Sequence, residues 1–310
     1  DSRTKAGKDT INVLVLKVEF IEDTTTLTTG NGKMDLRGSM DSEYEVDSTG
    51  DTVRNLYYEP PHDSLYFYRQ MEALRNYYLD DSHGKLYVDF DIYPKGLDST
   101  YTVPHEMKYY GDTINIVSGM FSLMRDGLKE AEIAGDVDFS SFDCVIIFHA
   151  GSMWQTDFLY DSPFDLPAVY ISGAEFVFGE PVTVGGVEFN DGIIYSETAS
   201  QDGGYAFIQG GLAHEFGHQL GLYDLYDTSG ETMGMGSWAL MGTGNWNMNG
   251  LVPPHHAGYN AYTRYNTKPR SGYGNYVYFN QTLTIDSDTN NIKLKHLGAN
   301  EDSSNKLVKI

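Results

Sequence analysis

Two histidines and a glutamate lie together in this sequence at a spacing that suits metal-dependent hydrolysis. His214 and His218 are four residues apart, so on a helix they share one face and their imidazoles can hold one metal ion. Glu215 lies about a quarter-turn round such a helix, beside the metal rather than on it. The pattern His-Glu-x-x-His is the zinc motif of metallopeptidases, in which the glutamate is the general base. The spacing therefore predicts a zinc site on His214 and His218 with Glu215 as the catalytic residue.

A third ligand is needed, because a catalytic zinc site takes three protein ligands and keeps one position open. Gly221 follows the helical run and can adopt the left-handed conformation that ends a helix. A chain that turns there can bring Asp224 back towards the two imidazoles. The competing design takes a glutamate from a second helix farther downstream, but after Glu231 there is no Asp or Glu until Asp286. Asp224 is therefore the predicted third ligand. The alternatives are His255 and His256.

The longer pattern resembles a known group of peptidases. His-Glu-x-x-His-x-x-Gly-x-x-Asp is similar to the zinc motif of the metzincin clan, in the form with aspartate in third place. Residues 214–227 followed by 236–242 resemble the immune inhibitor A family (M6) of secreted bacterial metallopeptidases, although Tyr223 stands where that family usually has proline. Met241 matches the family's Met-turn, the methionine that packs beneath the metal site. Further matching stretches are residues 82–86, 148–151, 196–198 and 253–265, so the resemblance extends from about residue 11 to residue 266.

The resemblance implies a fold, a cofactor and a setting. The fold is expected to be α+β and metzincin-like, with a twisted mixed sheet, backing helices, an active-site helix and a small irregular C-terminal lobe. The expected catalytic domain is residues 1–267, with an upper lobe at 9–221 and a lower lobe at 222–267, and residues 268–310 begin a β-rich accessory segment. One catalytic Zn²⁺, protein or peptide substrates, secretion and a monomeric state are expected. Tyrosines beyond the Met-turn often face the metal in the clan, and the candidates here are Tyr259, Tyr262 and Tyr265.

Composition limits the partners of the chain. Its 310 residues carry a net charge of −23, which repels nucleic acid and anionic membranes and suits a soluble secreted protein. No apolar run approaches the length of a membrane span. The single cysteine, Cys144, excludes an intrachain disulfide, and a secreted protein without disulfides points to bacteria. We therefore expect no nucleic acid and no membrane insertion.

Periodicity predicts the elements around the motif. Apolar residues at helical spacing predict helices over 63–80, 113–134 and 205–220, the second with Ile114 on its buried face. Continuous or alternating apolar runs predict strands. These strands are residues 11–20, 86–93, 142–148, 169–172 and 193–196, with a Gly-rich hairpin at 184–187. An extended peptide substrate is expected to pair with an exposed sheet edge, at the strand of either Ile193 or Val169.

Two further sites and two further functions follow from the residues. His149 stands directly after a buried strand, where it is either a core residue or a support for the metal ligands, or else takes a direct catalytic role. The loop 154–167 carries Asp157, Asp161 and Asp165, which could bind a structural Ca²⁺. The alternative functions are a catalytically idle metzincin-like binding or adhesion module and a zinc hydrolase of a non-peptide substrate. The intact Glu215 argues against the idle module, since a binding module has no need of a carboxylate there.

Overall fold

The computed structural model describes residues 9–37, 60–82, 84, 86–112, 114, 116–173 and 181–251, with the backbone of four short strands outside those ranges. The helices are α1 (Ser64–Asp81), α2 (Met107–Tyr110), α3 (Ile116–Ala134) and α4 (Gln209–Gln219). The strands are β1 (Asp9–Glu19), β2 (Tyr44–Val46), β3 (Thr52–Arg54), β4 (Leu86–Tyr93), β5 (Tyr101–Thr102), β6 (Cys144–His149), β7 (Val169–Ser172), β8 (Val182–Val184), β9 (Val187–Phe189), β10 (Asp191–Ser196), β11 (Thr282–Thr284) and β12 (Leu307–Lys309).

The chain forms two compact units. One comprises residues 1–11, 73–89 and 209–310, and the other comprises residues 12–72 and 90–208. The first unit therefore contains α4, and the second contains most of the sheet. The lobes 9–221 and 222–267 follow from the family resemblance rather than from contacts within the structure, and they stay a prediction.

The sheet of the second unit has the strand order β4-β1-β6-β10-β7, and β5 pairs with β1. β1 and β10 run parallel to β6, whereas β7 runs antiparallel to β10. All six residues of β6 are buried, which agrees with its continuous apolar sequence and its place inside the sheet. The expected mixed sheet is confirmed. Because β10 lies between two strands, Ile193 is not on a sheet edge, and only β7 of the two suggested strands is an end strand of this order.

The predicted helices form with small shifts at their ends. α1 begins at Ser64 because Asp63 caps it, its Oδ1 accepting hydrogen bonds from the backbone N–H of Leu65 (2.8 Å) and Tyr66 (2.9 Å). The placement of Ile114 on the buried face of the second helix was wrong: this residue is 93% exposed. It lies two residues before α3 begins at Ile116, and its N–H donates to the Asp112 side chain, so the α-helical periodicity does not govern it. None of the helices in the described ranges is long and apolar enough to cross a membrane.

In the first unit, the second half of α1 supports α4. Tyr78 is buried, and its hydroxyl donates a hydrogen bond of 2.5 Å to the backbone carbonyl of Ala213. The rings of Tyr78 and Phe216 lie 5.1 Å apart in a tilted arrangement. These two contacts hold the inner side of α4, so the residues between them, 214 and 215, are fixed in place.

Candidate metal centre

The helix that carries the two histidines begins later than its sequence pattern predicts. α4 starts at Gln209 rather than near residue 205. The backbone N–H of Gly210 donates to the carbonyl of Gly250 (2.7 Å). A Cβ on Gly210 would lie 2.0 Å from the carbonyl oxygen of Asn245, so only glycine allows this approach. The start of α4 is thus locked against residues 245–250.

The helix ends in a Schellman motif at Gly221. This glycine has φ of +86°, the left-handed conformation expected of it. Its N–H donates to the carbonyl of His218 (2.8 Å), and the N–H of Leu222 donates to the carbonyl of Gly217 (3.0 Å). The motif reverses the chain directly after the second histidine, and Asp224 therefore returns to the helix face that carries both imidazoles.

Backbone carbonyls fix the orientation of both imidazoles. Nδ1 of His214 lies 2.8 Å from the carbonyl oxygen of Leu240, and Nδ1 of His218 lies 2.9 Å from that of Leu222. Because a carbonyl only accepts, each Nδ1 carries the hydrogen, and each neutral ring keeps a lone pair on Nε2. Metal-binding histidines are oriented in this way.

Asp224 completes a group of three acceptor atoms. Its Oδ1 lies 3.2 Å from Nε2 of His214 and 3.2 Å from Nε2 of His218. That oxygen is buried and accepts no hydrogen bond, and the three ligand atoms lie within 4.8 Å of one another. Three lone pairs at this separation repel one another unless a cation lies between them. The side chains therefore fit a metal ion.

The charges at this site perturb one another. Burial would lower the pKa of His218, but the nearby carboxylates of Asp224 and Glu215 raise it to about 9. Burial would raise the pKa of Asp224, but the two histidines hold it well below its usual range. Burial raises the pKa of Glu215 against the opposing effect of the histidines. The raised pKa of His218 and the lowered pKa of Asp224 both follow from the close approach of these side chains to one another.

Two more side chains lie close to the ligands. Met241 is fully buried, and its Sδ lies 2.6 Å from the position that a Cβ on Gly217 would occupy. It packs against α4 in the turn between the two histidines, at the place where a Met-turn is expected. Tyr226 was not predicted: its ring lies nearly parallel to that of His214, with centroids 6.2 Å apart, and burial together with the charge of Asp224 raises the pKa of its hydroxyl. The only sequence signal for it is its place two residues after Asp224.

The remaining candidates for the metal site do not join it in the described ranges. His149 is the last residue of β6 rather than the residue after it, and it is completely buried. Its Nδ1 donates to the carbonyl of Ala150 (2.9 Å), and its Nε2 has no hydrogen-bond partner. Burial lowers its pKa to about 4. The alternative ligands and the candidate tyrosines lie outside the described residues. These are His255, His256, Tyr259, Tyr262 and Tyr265.

The three aspartates suggested as calcium ligands do not all lie together. Asp157 and Asp161 come together with Asp202, which lies 41 residues farther along the chain, and their ligand atoms are within 4.8 Å of one another. Asp165 is elsewhere, because it accepts hydrogen bonds from the N–H and the hydroxyl of Thr29. The suggested set was therefore wrong in one member. Exposed acidic groups also cluster without an ion, and calcium binding stays a prediction.

Comparison with known proteins places the site inside a family segment. Residues 186–274 match the model of the immune inhibitor A peptidase M6 catalytic domain. This segment includes α4, the turn at Gly221, Asp224, Tyr226 and Met241. A comparison with curated proteins gave no match.

Proposed function

Since residues 186–274 are a segment of the M6 peptidase catalytic-domain family, we propose that this chain is a zinc-dependent endopeptidase that hydrolyses peptide bonds. The observation that carries the proposal is the buried, unpartnered Oδ1 of Asp224, which lies 3.2 Å from Nε2 of both His214 and His218. A buried carboxylate oxygen that has no donor and faces two imidazole nitrogens suits a cation better than a hydrogen-bond network. The metzincin-like arrangement is part of this proposal.

The donor set favours zinc. Two imidazole nitrogens and one carboxylate oxygen are ligand types that zinc takes, and three protein ligands leave the open position of a catalytic site. When bound, zinc supplies a Lewis acid that polarises the scissile carbonyl and makes a water molecule acidic near neutral pH. A structural zinc takes a fourth protein ligand and prefers cysteine, whereas the only cysteine here, Cys144, is buried in β6.

Glu215 handles the proton in this proposal. It follows His214 on α4, is partly buried, and is not one of the three clustered ligands. Burial raises its pKa, and a carboxylate of raised pKa is a stronger base than an exposed one. We assign to its carboxylate the acceptance of the proton from the attacking water and the delivery of that proton to the leaving amine.

The setting of the enzyme is proposed from its composition. The net charge of −23 keeps the chain soluble and away from nucleic acid, and its single cysteine needs no oxidative pairing. We therefore propose a secreted, extracellular enzyme that acts on protein or peptide substrates.

Cleavage of a mixed peptide library tests the proposal. The parent chain, Glu215→Gln and Glu231→Gln are compared, each with and without a zinc chelator. Glu231 is an exposed glutamate in the segment after the helix, so it is a matched surface control. Loss of a general base costs about 10²–10⁴-fold in rate. We expect Glu215→Gln and the chelator to remove cleavage, and Glu231→Gln to leave it unchanged.

Two results would contradict the assignment. Cleavage by Glu215→Gln at the parent rate would show that another group moves the proton. Zinc binding without cleavage of any peptide would instead favour a non-peptide hydrolase or an idle binding module.

A further inference from the structure

The hydroxyl of Tyr78 holds the backbone of α4 at the residue that precedes the first candidate ligand. Tyr78 lies in the second half of α1, is buried, and donates a hydrogen bond of 2.5 Å to the backbone carbonyl of Ala213. In an α-helix this carbonyl also accepts the N–H of the residue four positions later, so the hydroxyl takes its second lone pair. The bond is therefore additional to those within the helix, and it ties α4 to α1.

The ring of Tyr78 restricts the same turn of α4. Its centroid lies 5.1 Å from that of Phe216, which stands three residues after Ala213 and on the same side of the helix. Residues 214 and 215 lie between these two points of contact. With 3.6 residues per turn, Glu215 lies about 200° round the helix from Ala213. Tyr78 thus supports α4 from the side opposite to the proposed general base.

The two candidate histidines depend on the position of α4 in different ways. Nδ1 of His218 donates to the carbonyl of Leu222, which belongs to the Schellman turn that ends the same helix. Nδ1 of His214 donates to the carbonyl of Leu240, which lies 26 residues farther along the chain. A shift of the first turns of α4 would therefore disturb the His214 contact, whereas the His218 contact would move with the helix.

We propose that Tyr78 is a positioning residue for the metal centre: it fixes α4 so that His214 meets the carbonyl of Leu240. The same support holds Glu215, the next residue, in its place. This inference rests on the proposed zinc peptidase and deepens it. Tyr78 acts through the backbone of α4 rather than on the metal or the peptide. A displacement of catalytic groups by about 1 Å costs up to about 10²-fold in rate, so a small shift of this helix is measurable.

Matched tyrosine variants separate positioning from stability. Tyr78→Phe keeps the ring and removes the hydroxyl. Tyr66→Phe makes the same change on the same helix, where the hydroxyl donates to the backbone carbonyl of Glu197 (2.8 Å) in the second unit. Each variant loses one hydrogen bond from a tyrosine to a carbonyl, so the two should lower the urea midpoint by similar amounts.

Two further measurements report the metal centre itself. The imidazole ¹⁵N resonances of the zinc-loaded protein report each histidine separately, and cleavage of one peptide from the library gives kcat/KM. We expect Tyr78→Phe to shift the ring nitrogens of His214 more than those of His218, and to lower kcat/KM about 10-fold. Tyr66→Phe should match the parent in both measurements.

The possible failures are distinguishable. Unchanged His214 resonances and kcat/KM in Tyr78→Phe would overturn the positioning role and leave the zinc peptidase intact. Equal changes in Tyr66→Phe would also overturn it, because the effect would then follow stability rather than the position of α4. A parent chain that binds no zinc or cuts no peptide would contradict the proposed function, and the role of Tyr78 with it.

Discussion

Two groups of side chains in this molecule combine histidine with a carboxylate but differ in what their acceptor atoms bind. In the first unit, His214, His218 and Asp224 direct three acceptor atoms towards one point, and Oδ1 of the aspartate has no donor. In the second unit, Nδ1 of His62 lies 2.7 Å from Oε2 of Glu197, and both side chains are buried. Only the first group has an unsatisfied acceptor.

In the second group, both carboxylate oxygens of Glu197 have hydrogen-bond partners, and we call it the saturated group. Oε1 of Glu197 accepts from the N–H of Gly151 (2.7 Å), and Oε2 accepts from the N–H of Asp35 (2.8 Å) as well as facing His62. The backbone carbonyl of Glu197 accepts from the hydroxyl of Tyr66 (2.8 Å). A buried carboxylate whose oxygens all have donors joins segments of the chain, whereas one with a free oxygen can bind an ion. The two groups contain the same residue types. What distinguishes the structural group from the candidate metal centre is whether every carboxylate oxygen has a hydrogen-bond donor.

The largest expected effect comes from breaking the saturated group. Glu197→Ala leaves His62 and two backbone N–H groups buried without an acceptor, which should lower the free energy of unfolding by about 3–5 kcal/mol. Urea denaturation measures this loss, and Glu188→Ala, at an exposed position, is the control. Zinc affinity of the folded Glu197→Ala chain should stay near the parent value. A variant that keeps its stability but loses zinc would remove the distinction between the two groups.

His149 should make the protein sensitive to acid. Its pKa of about 4 in the folded chain lies below the ordinary value of 6.5, because burial disfavours the charged ring. The unfolded chain therefore takes up the proton first as the pH falls, and stability is lost between about pH 6.5 and pH 4, by about 3 kcal/mol in total. In His149→Gln this contribution is absent, so the urea-unfolding free energy should fall less between pH 7 and pH 4.5 than in the parent. Parallel pH profiles for the two chains would contradict the buried neutral state of His149.

Zinc should stabilise the folded chain by binding His214, His218 and Asp224. At a zinc concentration of 100 times Kd, the free energy of unfolding should rise by about 2.7 kcal/mol, because the ion binds the folded state. Asp224→Ala should lose most of this increment, since it removes the unpartnered oxygen. Glu197→Gln, which alters the saturated carboxylate, should keep it. Urea curves with zinc and with chelator measure the increment, and an equal increment in Asp224→Ala would exclude that residue as a ligand.

The smallest expected effect is in the packing beneath the centre. Gly217→Ala places a Cβ 2.6 Å from Sδ of Met241, and the thioether must move aside at a cost of about 1–3 kcal/mol. Met241→Leu conserves volume and should cost less than about 1.5 kcal/mol. Thermal unfolding and zinc competition on both variants measure the two changes. If Gly217→Ala is as stable as the parent, Met241 does not support α4 at this point.

Much of the fold could be predicted because periodicity reports burial directly. The strand 169–172 and the hairpin at 184–187 lie where the sequence places them, and the left-handed Gly221 returns the chain as expected. The predicted burial of Ile114 was wrong because helical spacing was extended across a turn in which the Asp112 side chain accepts a hydrogen bond from the N–H of Ile114. Sequence pattern gives no boundary for such a turn.

The rest depends on contacts between distant residues. Asp202 joins Asp157 and Asp161 across 41 residues, and no local pattern links them. Tyr226 lies beside His214 next to Leu225, which is hydrogen-bonded to residues 10 and 16 positions later. Lys17 stands in an apolar run yet is buried with its Nζ on Ser64 and two carbonyls, an arrangement that the run itself does not encode.

A crystal structure of the zinc-loaded chain, with anomalous data at the zinc edge, tests the central claim most directly. The account predicts one strong anomalous peak about 2.0–2.2 Å from Nε2 of His214, Nε2 of His218 and Oδ1 of Asp224, with a further position open. A zinc ion held by His255 or His256 in place of Asp224, or a zinc with four protein ligands, would contradict it.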